Sequence, residues 1–164
     1  TRSLCDWSSD VCSSDLVDLN QTNHTSVFDD YGVPMSAAIS ILLVDDDCHL
    51  VESMADWLRQ SMHQVSTASS LMDAKEQLVE SDFDLVITDL RLGNEDGFDL
   101  IRHLRQRYKD TAVLVMTGYA TPGTAVEAVQ AGAFDLLTKP IIDDELLLSI
   151  QRAIELREIG RAHV

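Results

Sequence analysis

Asp45 and Asp46 close one short apolar run, Ile41–Val44, and Asp89 closes a second, Leu85–Thr88. Thr117 closes a third, Ala112–Met116, and Lys139 follows a fourth, Phe134–Leu137, by two residues. If these runs are parallel strands of one sheet, their carboxyl ends share a rim. Three carboxylates, a hydroxyl and an ammonium then meet in one crevice. Two carboxylates about 4 Å apart repel by roughly 4 kcal/mol at an effective dielectric near 20, and one of them would tend to keep a proton. A hard divalent cation removes that conflict. Mg²⁺ takes a few carboxylates, waters and a phosphate oxygen, and it would also cancel charge on an incoming phosphoryl group. The set suits phosphoryl transfer to a carboxylate.

The pattern from Ile39 onward supplies the strands. The run Ile41–Val44 is continuous rather than alternating, as in a strand buried on both faces. Leu50, Met54, Trp57 and Leu58 then stand at helical spacing. Val65–Ala68 reads as a weaker strand, and Ser70 as the cap of a helix carrying Leu71, Ala74, Leu78 and Val79. After Asp89, residues Leu92–Gly97 have turn chemistry, and Phe98, Ile101 and Leu104 form the face of the next helix. A helix from Thr124 to Ala131 is stopped by Gly132, a short strand runs from Phe134 to Leu137, and a last helix spans Glu145–Arg157. On that helix Leu146, Leu147, Ile150 and Ile154 read as core. Leu148 and Leu156 lie off that face and read as an association surface or the start of a helical linker. Alternating strands and helices call for parallel strands and right-handed crossovers. The expected fold class is α/β, a doubly wound five-stranded parallel sheet of order 2-1-3-4-5 in three layers, with ligands at the strand carboxyl ends.

The 164-residue chain carries 28 acidic and 12 basic residues, a net charge of −16, which argues against direct nucleic-acid contact. No apolar run approaches the ~18 residues of a membrane span, and no secretion signal is visible. Cys5, Cys12 and Cys48 make no disulfide framework, and Cys48 reads as a helix-start or packing residue. Residues 1–34 are rich in Ser, Asp, Asn and Thr without periodicity. The stretch Asp6–Leu16 resembles the in-frame translation of a sequencing adapter, as does Glu158–Val164. The expectation is a domain at 35–157, opening at Met35, with read-through at 1–34 and 158–164 and an output domain lost beyond Arg157. The Asn23-His24-Thr25 glycosylation pattern falls in the first of these segments and is disregarded.

Over nearly all of Ile39–Arg157 the chain resembles the receiver domains of two-component response regulators. The pieces are Leu43-Val44-Asp45-Asp46-Asp47, Asp84-Leu85-Val86-Ile87-Thr88-Asp89, Asp96-Gly97, Met116-Thr117-Gly118 and Lys139-Pro140. Each alone is weak; in this order and spacing they are highly specific. Phe134–Pro140 and Thr117–Thr121 look most like receivers of the nitrogen-regulation type. The resemblance implies a flavodoxin-like sandwich and a phosphoprotein that accepts a phosphoryl group onto Asp89. By the same resemblance Asp46 binds Mg²⁺ directly, Asp45 partly through water, and the Arg91 backbone carbonyl adds a ligand. Lys139 pairs with the acidic pocket and the phosphoryl group, and Thr117 bonds that group and moves the switch. The implied partner is a sensor histidine kinase or phosphotransfer protein in a bacterial cytoplasm, with homodimer formation on phosphorylation and a transcriptional output. Catalysis is limited to the domain's own phosphorylation and dephosphorylation.

Four positions depart from or refine the family pattern. Gly93 stands where proline is usual and loosens the loop after Asp89. Leu136 replaces a frequent aromatic three residues before the lysine, so Thr117 would couple outward by another route. Arg91 and Tyr119, two residues beyond Asp89 and Thr117, flank the path of attacking water and are expected to slow acyl-phosphate hydrolysis. Other readings were weighed. A dinucleotide-binding oxidoreductase needs a glycine-rich turn where this chain has Asp45-Asp46-Asp47. A calcium loop would put Leu92 and His103 at its first and last ligand positions. An aspartyl-phosphate hydrolase, with its nucleophile after the first strand, and a docking module that is never phosphorylated both remain open.

Overall fold

The computed structural model describes residues 38–162. The readings made for 1–34, including Cys5, Cys12 and Asn23, lie outside them. In chain order the elements are β1 (Ser40–Val44), α1 (Cys48–Gln60), β2 (Gln64–Ala68), α2 (Leu71–Glu80), β3 (Leu85–Asp89), β4 (Arg91–Leu92), β5 (Glu95–Asp96), α3 (Gly97–Arg107), β6 (Ala112–Thr117), α4 (Pro122–Ala131), β7 (Asp135–Thr138) and α5 (Asp143–Ala162). Five strands pair in parallel in the order β2-β1-β3-β6-β7. Numbered within that sheet alone this is 2-1-3-4-5, the expected order. The hairpin β4–β5 is separate and antiparallel, pairing Arg91 with Asp96 and Leu92 with Glu95.

The strand period of two divides the core into two layers. Leu42, Val44, Val86, Val113 and Val115 point to one face, against Ala74 and Leu78 of α2, Leu100, Ile101 and Leu104 of α3, and Ala128 of α4. Ile41, Leu43, Leu85, Ile87, Leu114 and Met116 point to the other, against Val51, Ala55 and Leu58 of α1 and Leu146, Ile150 and Ala153 of α5. Both faces are covered, so the strand runs need no polar alternation. Burying a Leu or Ile fully contributes about 1.5–3 kcal/mol, and truncating one to alanine in such a core costs about 2–5 kcal/mol.

The helix starts follow capping chemistry. Asp47 caps α1, accepting from the N–H groups of His49 and Leu50 at 3.1 and 3.2 Å. The third residue of the aspartate run is therefore a cap, and Cys48 opens the helix as expected. Ser70 caps α2 and Asp96 caps α3. Thr121 caps α4, whose first residue is Pro122, so this helix begins two residues before the expected Thr124. Gly132, at φ +109°, ends it in the left-handed region.

The apolar stripes need two corrections. Val79 is 78% exposed: it lies about 100° around α2 from the buried Leu78 and leaves the stripe. Leu147 is only half-buried and lies outside the core, where Ala153 completes the i, i+4, i+7 series begun by Leu146 and Ile150. Leu148 and Leu156 are exposed, as read from their spacing. Helix α5 continues past Arg157 to Ala162.

Candidate functional site

The register of the sheet assembles the rim. Asp89 pairs with Met116, one residue before Thr117, and Thr117 pairs with Thr138, one residue before Lys139. Val44 pairs with Thr88, so Asp45 and Asp89 leave adjacent strands side by side. Carboxylate oxygens of Asp45, Asp46 and Asp89 lie within 4.8 Å of one another. Lys139 Nζ donates to Asp45 Oδ2 at 2.5 Å and to Asp89 Oδ2 at 2.7 Å. The Lys139 backbone N–H donates to the Thr117 carbonyl at 2.9 Å.

Backbone amides hold one oxygen of each carboxylate. Asp45 Oδ1 accepts from the Asp47 N–H at 3.0 Å, and Asp89 Oδ1 from the Arg91 N–H at 3.1 Å. Asp46 Oδ2 accepts from the Gly93 N–H at 3.1 Å. Thr117 Oγ1 accepts from the Tyr119 N–H at 3.2 Å, which leaves its hydroxyl hydrogen free to donate. Asp45, Asp89 and Thr117 are buried, whereas Asp46 stands in solvent at the mouth.

Charge does not balance here. Three carboxylates face one ammonium, a surplus of two negative charges. At 4.8 Å and an effective dielectric of about 20, each unscreened carboxylate pair costs on the order of 3.5 kcal/mol. Burial pushes the Asp45 carboxyl above its usual range, even though Lys139 and the Asp47 amide favour its charge. Burial alone would lower the Lys139 ammonium, but its hydrogen bonds to Asp45 and Asp89 outweigh that and hold it above its ordinary value. The donors are hard oxygens, the surplus equals the charge of a divalent ion, and one carboxylate opens to solvent. The residues present therefore fit a hard divalent cation.

Two glycines shape the site. A Cβ on Gly97 would lie 2.2 Å from the Asp89 carbonyl oxygen and 2.8 Å from Leu90 Cα, so only glycine lets α3 start against the end of β3. The Asp96-Gly97 pair gave a motif match in sequence but no distance; the signal was a glycine directly after a helix cap. Gly93 has φ +63°, which proline cannot adopt. Its freedom serves a closed hairpin, β4–β5, rather than a loose loop. Across the mouth, the Arg91 guanidinium stacks 4.0 Å from the Tyr119 ring centroid. Leu136 is half-buried and packs on the core.

The family model for the response regulator receiver domain matches residues 41–151. The alginate biosynthesis transcriptional regulatory protein AlgB of Pseudomonas aeruginosa is 37% identical over 119 residues, covering 73% of this chain and 26% of that protein. The transcriptional regulatory protein ZraR of Escherichia coli is also 37% identical, over 71% of this chain and 26% of its own length. The chain thus spans about a quarter of these relatives. Among solved structures, the beryllofluoride-activated NtrC4 receiver domain dimer superposes with a TM-score of 0.69 at 30% identity, covering 72% of this chain and 98% of that one. A Burkholderia pseudomallei response regulator with a phosphorylated aspartic acid and a calcium ion superposes with a TM-score of 0.67 at 31% identity, covering 76% and 74%.

Proposed function

The chain belongs to the receiver domain family of two-component response regulators, and from that premise we propose that Asp89 is its phosphoacceptor, served by Mg²⁺, Lys139 and Thr117. The observation that carries this reading is the unbalanced cluster of Asp45, Asp46 and Asp89 around a single ammonium. Asp45, Asp46, Asp89 and the Arg91 carbonyl would hold the metal. When bound, Mg²⁺ supplies a hard Lewis acid that neutralises the carboxylates and the phosphoryl oxygens. The rest is done by the chain. Asp89 is oriented by the Arg91 N–H and by Lys139, so its carboxylate presents a fixed nucleophile. It attacks the phosphorus of a phosphohistidine; the P–N bond breaks, imidazole leaves, and an acyl phosphate forms. Lys139 compensates charge on the phosphoryl oxygens, and the Thr117 hydroxyl donates to one of them, drawing β6 and the following loop toward the site.

The phosphoryl donor is a sensor histidine kinase or phosphotransfer protein of the bacterial cytoplasm. The receiver is a signalling domain that promotes only its own phosphorylation and dephosphorylation. The domain is residues 35–157, with its last helix running on to Ala162 and 1–34 outside it, and its output is transcriptional, as the names of its relatives suggest. Phosphorylation favours a homodimer, a reading supported by the dimeric NtrC4 receiver. Among the described residues no helix is long and apolar enough to cross a membrane.

The test is labelling by acetyl phosphate with Mg²⁺. We expect stoichiometric phosphorylation of the wild type and none of Asp89→Asn. Steady phosphate release from small substrates, with Asp89→Asn unaffected, would point to a hydrolase and overturn the reading. The Arg91–Tyr119 stack over the mouth supports slow hydrolysis of the acyl phosphate, so Tyr119→Ala should shorten its lifetime; an unchanged decay rate removes that role.

A further inference from the structure

The hairpin β4–β5 carries two backbone donors to the acidic cluster, the Arg91 N–H on Asp89 and the Gly93 N–H on Asp46. It is too short to hold that geometry by itself, since even longer isolated hairpins are marginal in water. Its tip residue, Gly93, has no side chain to restrain it. Leu92 anchors one strand by burial in the core. The partner strand is held differently. Glu95, which pairs with Leu92, reaches across to α2, where its Oε2 accepts from the Leu71 N–H at 2.8 Å.

Leu71 is the first residue of α2, so its N–H has no acceptor within the helix. The Ser70 cap serves Asp73 instead, at 3.1 Å. A carboxylate at this point also faces the positive end of the helix and makes a charge-assisted bond, about twice as strong as a neutral one. Helix α2 is a fixed post, packed into the core through Ala74 and Leu78. The bond therefore joins residues 24 apart in sequence and ties the two-residue strand β5 to a packed helix.

We infer that Glu95 is a positioning residue of the metal site: its bond to the first amide of α2 holds the Arg91–Gly93 backbone against Asp89 and Asp46. The inference rests on the magnesium site proposed above. Glu95 touches neither metal nor phosphoryl group; it acts through the hairpin, as an outer-shell partner acts on a ligand.

The experiment is calorimetric titration of the 164-residue chain with MgCl₂, unphosphorylated, with thermal unfolding of each variant in parallel. Glu95→Ala is expected to weaken Mg²⁺ binding about tenfold. Glu95→Gln, which keeps an acceptor oxygen at the same reach, should recover most of the loss. Ser70→Ala removes a cap of the same helix turn and should lower the unfolding midpoint while leaving Mg²⁺ affinity unchanged. Wild-type affinity in Glu95→Ala overturns the inference. So does equal weakening by Ser70→Ala, which would make the effect one of helix stability, or failure of Glu95→Gln to recover. Absence of saturable Mg²⁺ binding in the wild type overturns the metal site itself, and the inference with it, before any variant is compared.

Discussion

At one edge of the sheet Lys139 faces three carboxylates; at the other Arg157 faces Asp84 alone. Apart from Asp46, which stands in solvent, both clusters are largely shielded from water, and both join the end of a strand to a distant part of the chain. At the second edge Arg157 and Asp84 match one to one, although the neighbouring Arg105 has only a carbonyl partner and the Nε atoms of both arginines are buried without a hydrogen bond. Arg157 of α5 pairs with Asp84 Oδ1, and the Ser40 N–H donates to Asp84 Oδ2 at 2.9 Å. The Thr111 hydroxyl nearby donates to the Phe83 carbonyl at 2.9 Å. That edge closes the fold. The Asp45–Asp46–Asp89 edge is left with two surplus negative charges and a carboxyl that burial disfavours as an anion. The comparison teaches that a converging surplus of like charge, rather than charge as such, marks the rim where a ligand belongs.

The contrast can be broken by measuring unfolding free energy in denaturant with and without Mg²⁺. The largest effect expected is the cation itself. At a hundredfold excess over its dissociation constant, an ion that binds only the native state adds about 2.7 kcal/mol. Next is Asp84→Asn, which should destabilise the protein by about 1–3 kcal/mol by leaving the half-buried Arg157 without its partner. Its Mg²⁺ stabilisation should persist. Smaller and of opposite sign is Asp45→Asn. It removes a charge that the folded state disfavours, so the metal-free protein should gain stability while most of the Mg²⁺ response disappears. If both substitutions destabilise the metal-free protein equally, the two edges do not differ in the way their charges suggest.

Much of the site was legible in sequence because the sheet is covered on both faces. Four apolar runs stand out without any periodicity, and the polar residues that end them fall on one rim once the strands are parallel. The β2-β1-β3-β6-β7 order matches the doubly wound arrangement favoured for five such units, which alternation alone does not fix. What stayed hidden has physical causes. A hairpin of two residues per strand has no pattern long enough to read, so β4–β5 looked like a loop. Steric closeness of Gly97 to the Asp89 carbonyl depends on where α3 docks, which spacing does not encode. Asp47 stood only as the last residue of the aspartate run, and it is its backbone conformation that makes it a helix cap. The bonds Glu95–Leu71 and Asp84–Arg157 cross 24 and 73 residues and depend on tertiary placement. The start of α4 was different: Thr121-Pro122 carries a cap and a first-turn proline, a signal that was available to be read.

The smallest effect concerns acid, where the two edges should respond with opposite signs. His63, buried just before β2, accepts from the Ile39 N–H at Nδ1, 3.4 Å away. Burial holds its imidazolium below the ordinary pKa of 6.5. Above about pH 6.5 the ring is neutral in both folded and unfolded chains, and its contribution to stability is fully present. As pH falls below that value the unfolded chain takes the proton first. Stability then declines until pH passes the folded pKa, at no more than about 1.4 kcal/mol per pH unit for a single proton. Protonation would also set a donor on Nδ1 against the Ile39 donor. Asp45 works the other way. Its folded pKa is raised above 3.8, so the metal-free protein regains stability as pH falls through that folded pKa toward 3.8. His63→Gln, which keeps an acceptor but cannot titrate, should therefore flatten the slope of unfolding free energy between pH 7.5 and 5.5 while leaving any gain at lower pH in place. An identical slope in wild type and variant would assign the acid response to His103, whose imidazolium is also held low by burial, and His63 would then be packing alone.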